Sequence, residues 1–188
     1  MMDVSYSQEA LMIAYHVVTD RPMHAGQIIR FDDTHHSGVY ERVQQRLPAV
    51  LAVYAGQPDT APLDHHTRVA LRELALEEVR AARFPQYPSR LSCLYVSRTL
   101  EEAERWAAFF ARIGRPTYHI VRVETDGRVF EGNACLCFDG TTDREENLRL
   151  AARYWEAAPT GEPPVTELLI DGSIRVLEIV REIHANLP

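Results

Sequence analysis

The sequence predicts a mixed α+β fold with antiparallel strands, and three observations lead there. Amphipathic helical repeats crowd the first half of the chain, whereas short β-type runs separated by Asp-Gly pairs fill the second. No strand is followed by a glycine-rich loop opening a helix, so a doubly wound nucleotide-binding fold is not expected. With 188 residues, 46% of them hydrophobic and 25% charged, the chain has the size and balance of one ordinary globular domain, taken as residues 1–188.

The first apolar run, Leu11 to Val18, is too short for a typical helix and stops at Asp20-Arg21-Pro22, which reads as a buried strand. Gln27 to Phe31 reads as a second. Ser37 can cap a helix through Tyr54, with Val39, Val43, Leu47, Val50 and Leu51 at helical spacing and Pro48 expected to kink it or end its regular part. After a loop with Gly56, Pro58 and Pro62, Asp64 opens the clearest helix, in which apolar and charged residues alternate up to Phe84 before Pro85 and Pro88. Leu91 to Ser97 is a short strand, and Thr99-x-x-Glu102 behind it is a capping box for a helix to about Ile113.

Beyond Gly114-Arg115-Pro116, Tyr118–Glu124 and Arg128–Phe130 read as strands joined by Asp126-Gly127, a strong hairpin signal. Asp143 to Ala158 is helical, with Leu148, Ala151, Ala152 and Trp155 on one face. Val165–Ile170 and Ile174–Val180, joined by Asp171-Gly172, read as a second hairpin.

Charge narrows the function classes. Twenty basic residues against 27 acidic ones give a formal charge of −7, which offers no footprint for sequence-independent nucleic-acid binding. Every basic residue is arginine, so neither a Schiff-base lysine nor a phosphate-loop lysine exists. Cys93, Cys135 and Cys137 are odd in number, and their spacing with the doublets His35-His36 and His65-His66 matches no usual zinc pattern, so no metal is expected. With no apolar run near the roughly 20 residues of a membrane span, and no secretory leader in MMDVSYSQEALM, a cytoplasmic protein is the expectation.

Three polar residues stand inside strands that should be mostly buried: His16 after Tyr15, Tyr95, and Glu167. Singly, each suits a hydrogen-bonded structural role. In this order they resemble the ADP-ribosyltransferase superfamily of the His-Tyr-Glu type. Leu11–His16 resembles its first strand, Leu94–Trp106 its tyrosine strand and following helix, and Thr166–Val176 the strand that begins with the catalytic glutamate. A closer similarity, to an uncharacterised bacterial domain family, runs through Phe31–Tyr40, Gly132-Asn133, Glu146–Leu148 and Tyr154-Trp155.

The superfamily resemblance implies a split antiparallel β-sheet core with flanking helices, here with a helical insertion over about 37–84. It implies NAD as substrate, cleavage of the nicotinamide–ribose bond, and transfer of ADP-ribose to an acceptor or to water. Glu167, Tyr95 and His16 would be the catalytic set. The chemistry suits these residue types: a carboxylate beside the ribose stabilises the positive charge that develops there, a tyrosine ring stacks on nicotinamide, and an imidazole holds a ribose hydroxyl.

His16, Val17, Tyr95, Ser97, His35, His36, Tyr40 and Arg90 are the candidate NAD contacts, with Arg30 and Arg98 as other possible counterions for the two phosphates. The 31–40 segment reads equally as a loop leading into a helix capped by Ser37. Two positions depart from the superfamily pattern: Val17 stands where glycine often follows the histidine, and Val165 stands where arginine-modifying members carry an acidic residue. An arginine acceptor is therefore disfavoured. The alternative reading is a catalytically silent relative that binds a nucleotide or a protein. An RNA 2′-phosphotransferase-like enzyme ranks last, because the chain is acidic.

Overall fold

The computed structural model describes residues 11–19, 21–31, 35–56, 63–161 and 163–183. Asp32, Asp33 and Thr34 of the polar segment, and Pro58 and Pro62 of the first long loop, lie outside the described residues. The fold is mixed α+β, as expected. In chain order its elements are β1 (Met12–Val18), β2 (Ile28–Ile29), α1 (Gly38–Tyr54), α2 (His65–Arg83), β3 (Leu94–Val96) and α3 (Leu100–Arg112). They continue with β4 (His119–Thr125), β5 (Val129–Asn133), α4 (Arg144–Trp155), β6 (Thr166–Ile170) and β7 (Ile174–Glu182).

The helix starts obey local chemistry. Ser37, Asp64, Thr99 and Asp143 each accept a backbone N–H from the first turn, and Thr99 and Glu102 form the reciprocal capping box. Helix α1 does not end at Pro48 but continues through it to Tyr54. Val43 and Val50, on either side of the proline, are both buried with Ala70 and Leu71 of α2. Packing on α2 thus offsets the hydrogen bond that proline removes.

The larger correction concerns the two Asp-Gly pairs. β4 does not pair with β5, and β6 does not pair with β7. Instead the strands sort into two antiparallel sheets, one in the order β1-β4-β7-β2 and the other β3-β6-β5. At each Asp-Gly the chain leaves one sheet for the other. The reason is visible in what the turn residues bind. Asp126 accepts the N–H of Ser173 (3.0 Å) rather than closing a turn of its own, and Asp171 accepts both the N–H (2.7 Å) and the guanidinium of Arg128. Gly172 has φ +78° and would place a Cβ only 2.6 Å from the Cα of Gly127. Glycine here serves positive φ and close approach of two backbones, not a two-residue hairpin.

The chain falls into two compact units, each holding one sheet. The first unit gathers the segment ending at Ile29, Arg98–Gly127 and the segment from Gly172. Its helix α3 covers the β1 face that carries Tyr15 and Val17, and Val17 packs there with Ala103, Ala107 and Ile120. The second unit gathers Arg30–Ser97 and Arg128–Asp171, and so holds α1, α2 and α4 with the three-stranded sheet. Its core joins Leu76 and Val79 of α2, Tyr154 and Trp155 of α4, and Phe130 and Leu169 of the sheet. Trp155 is anchored by an Nε1–H···O bond to Leu76 (2.8 Å), so its burial leaves no polar atom unpaired.

Candidate functional site

The second unit places two of the three residues singled out by the sequence on one surface. In the β3–β6 ladder Tyr95 lies opposite Leu169, and Glu167, two residues earlier on β6, shares the face of Leu169. Tyr95 and Glu167 are therefore diagonal neighbours on one face of adjacent strands, a relation that brings side chains within reach of a common group. On the other side of Glu167, β5 sets Gly132 directly opposite. A Cβ on Gly132 would fall 2.9 Å from the hydroxyl of Tyr154. The missing side chain is what lets the Tyr154 phenol lie over Glu167.

The Glu167 carboxylate is buried, and three donors converge on its Oε1. They are Arg90 Nη1 at 2.7 Å, the Tyr154 hydroxyl at 2.7 Å and the Cys137 thiol at 3.6 Å. Arg90 Nη1 also donates to the Tyr154 hydroxyl (2.7 Å), which closes a triangle of Arg90, Tyr154 and Glu167. Behind Arg90 sits Glu73 of α2, which accepts Arg90 Nε at 2.8 Å and Nη2 at 3.3 Å, and also accepts Arg72 at 2.8 Å. Two carboxylates and two guanidiniums thus share one buried cluster. Such a cluster holds only because the opposite charges are in contact and their remaining polar atoms are hydrogen-bonded.

The arginine is also framed by rings, with its guanidinium carbon 4.9 Å from the Tyr154 centroid and 5.3 Å from that of Tyr95. Tyr95 donates its hydroxyl to the Arg90 carbonyl (3.4 Å). The cluster's electrostatics follow from burial and from its guanidiniums. Burial pushes the Glu73 carboxyl up, but Arg90 and Arg72 outweigh it and hold the group below its ordinary range. Burial pushes the Cys137 thiol up to about 12, against the pull of Arg90, and raises the Tyr95 and Tyr154 hydroxyls well above their ordinary values. All three therefore remain protonated donors at neutral pH.

The other sequence candidates divide between the units. His16 is in β1 of the first unit, partly exposed, opposite Val121. Val17 next to it turns to the opposite face, into the α3 core, so its Cβ is not on the surface that His16 occupies. Ser97, His35, His36 and Tyr40 belong to the second unit with Tyr95 and Glu167. Ser97 is buried at the end of β3. His36 stacks on Tyr40 with ring centroids 3.8 Å apart. Ser37 between them caps α1 and donates to the Leu91 carbonyl (2.8 Å), which ties the helix start to the residue after Arg90. Arg90 itself has its guanidinium turned inward to carboxylates.

Sequence reasoning missed Glu73, Tyr154 and Gly132 as parts of the site. Glu73 carried a signal in hindsight: within α2 it sits between Leu71 and Leu76 and is buried among Ala70, Leu71, Ala75 and Leu76, an acidic residue on the apolar face of a helix. Among the described residues, no three His, Cys, Asp or Glu side chains are grouped to hold a metal ion.

These features define a mixed α+β protein with two antiparallel sheets and a buried carboxylate–guanidinium centre. The chain belongs to the family described as "Protein of unknown function (DUF2441)", which it matches over residues 14–182. The matched span includes most of β1, the whole of the second unit and all of β7. No curated protein matches the chain.

Proposed function

We propose that the protein is an NAD-dependent ADP-ribosyltransferase, or an NAD glycohydrolase with water as acceptor, and that Glu167 is its catalytic carboxylate. The observation that carries this reading is the pairing of Tyr95 and Glu167 as same-face neighbours on β3 and β6, with the carboxylate held by fixed donors. A nicotinamide ring stacked on Tyr95 would set the scissile bond next to Glu167. The Glu167 carboxylate would accept a ribose hydroxyl and stabilise the positive charge that grows on the ribose as nicotinamide leaves.

In this reading Tyr95 orients the leaving group and Ser97 lies at the end of the same strand. His35, His36 and Tyr40, of the same unit, face the nucleotide. The geometry around Arg90 favours a positioning role for it over pyrophosphate binding, which falls to a more exposed arginine such as Arg30.

A second reading is favoured by one specific observation. Glu167 is only 9% exposed and already accepts three donors, as a structural carboxylate does. In that case the protein is a catalytically silent binding module for a nucleotide or a protein. Nicotinamide release from NAD by the purified chain separates the two. Release that depends on Glu167 and Tyr95 supports the enzyme, whereas NAD binding without release supports the module.

A further inference from the structure

We infer that Glu73 of α2 is a positioning residue for Glu167 and acts through Arg90; this rests on the reading of Glu167 as the reactive carboxylate. Helix α2 lies in the segment that the superfamily resemblance leaves uncovered, yet it sends Glu73, backed by Arg72, into the buried cluster. The Glu73 side chain does not touch Glu167. It grips Arg90 on the Nε and Nη2 edge, at 2.8 and 3.3 Å, and leaves Nη1 as the nitrogen that reaches both Tyr154 and Glu167.

The division of labour follows from the shape of guanidinium. Its donors form a rigid planar fork, so fixing one edge fixes where the remaining nitrogen points. With Glu73 on one edge, Nη1 can address Glu167 Oε1 in one orientation only. Tyr154 then locks the same oxygen from α4. Glu73 thereby selects a single carboxylate orientation at the position where positive charge would develop, which is what preorganised stabilisation requires. An insertion that packed only for stability could dispense with the charged cluster as a whole, since apolar side chains of similar volume replace a buried ion pair with no loss of stability.

The test uses the full chain in four forms: wild type, Glu73→Gln, Arg90→Lys and the double variant. Nicotinamide release is measured for kcat and for KM with NAD. Glu73→Gln keeps the volume and loses the charge, and Arg90→Lys keeps the charge and loses the fork. Each single variant should lower kcat about tenfold or more while KM stays within about threefold, because the lost interaction acts in the transition state. The double variant should be no worse than about twice the poorer single one, since both remove the same relay. Losses that multiply in the double variant, or a Glu73→Gln kcat within twofold of wild type, overturn the inference.

If the wild type releases no nicotinamide, the enzymatic reading falls and the relay is judged on structure alone. A crystal structure of Glu73→Gln with Arg90 and Glu167 in their wild-type positions then overturns it, and a displaced Arg90 with Glu167 parted from Tyr154 upholds it. Should Glu73→Gln not fold, Glu73→Asp, which keeps the charge and withdraws it by one methylene, goes through the same measurements.

Discussion

The ion pairs of the first unit and the buried cluster of the second put arginine and glutamate to opposite work. In the first unit their pairs lie on solvent-facing surfaces: Arg122 with Glu178, Arg175 with Glu124, and Arg181 with Glu104, the arginines 40% to 59% exposed. In the second unit Arg90 and Glu73 meet with 5% and 2% of their side chains exposed. Water screens the first set, and each pair there is worth little. No water screens the second set, so its members depend on one another and the loss of any one strands the rest. Exposed pairs also lie in the second unit, such as Arg83 with Glu156 and Arg144 with Glu78, but among the described residues that unit alone buries such a pair, and there charge fixes the geometry of a single carboxylate.

The contrast is broken most directly by neutralising one arginine in each unit. Arg90→Met should cost about 3–5 kcal/mol, because it leaves a buried carboxylate without its cation. Arg122→Met, on the exposed face of β4, should cost less than about 1 kcal/mol. Urea unfolding of both variants checks this, and equal losses would erase the distinction.

Next in size is Glu167→Gln, which retains shape and hydrogen bonding but not charge. Nicotinamide release should fall on the order of a hundredfold while NAD affinity changes little. Asp171→Asn, whose side chain serves Arg128 at the sheet crossing, should leave turnover close to wild type. Near-normal turnover in Glu167→Gln, with an active wild type, would remove Glu167 from the chemistry.

Acid sharpens the comparison further. The folded pKa of Glu73 is depressed, so its ionised form adds stability in full above the ordinary carboxylate value of about 4.5. That stability is withdrawn as the pH falls toward the lower folded value. Thermal midpoints recorded from pH 6 to pH 3 should therefore drop more steeply for wild type than for Glu73→Gln. Parallel slopes would mean that Glu73 is not held ionised by its arginines.

The smallest effect concerns thiols. Cys135 is exposed, Cys93 is buried, and Cys137 has a pKa of about 12. A disulfide reagent at neutral pH should react quickly with one thiol of the native protein, and with all three once it is unfolded. Fast reaction at Cys137 would show that the packing around Glu167 opens readily.

Much of the local structure was legible in the sequence because it is written in neighbouring residues. Thr99 and Glu102, Asp64 with its following alternation, and Asp143 all specify helix starts within a few positions. The strand partners were not legible. Asp126-Gly127 and Asp171-Gly172 have hairpin composition, but each aspartate binds a residue on the other crossing, 47 or 43 positions away.

The site was half legible for the same reason. Tyr95 and Glu167 stood out as polar residues in apolar strands, and register then put them on one face. Arg90 was singled out, but as a phosphate ligand, since nothing local to it announces Glu73 at 17 positions' distance or Tyr154 at 64. Gly132 was noticed only as part of a resemblance, and its reason lies in a phenol from another element.

The two sheet crossings have a consequence for how the molecule is made. Each unit is stitched from separated stretches of chain, and the last strand of each lies beyond residue 165. Strand β6 is the middle strand of one sheet, and β7 stands between β4 and β2 in the other. As the ribosome delivers the chain, β5 waits for a neighbour, β2 has nothing to bind, and Tyr95 has no Glu167 beside it. Neither unit can be released as a self-sufficient fragment by a single cut, and a truncation before β6 removes the centre of both sheets at once. Neither sheet can therefore be complete before β6 and β7 have been made, and the charged interior of the second unit closes only once Glu167 has joined Arg90.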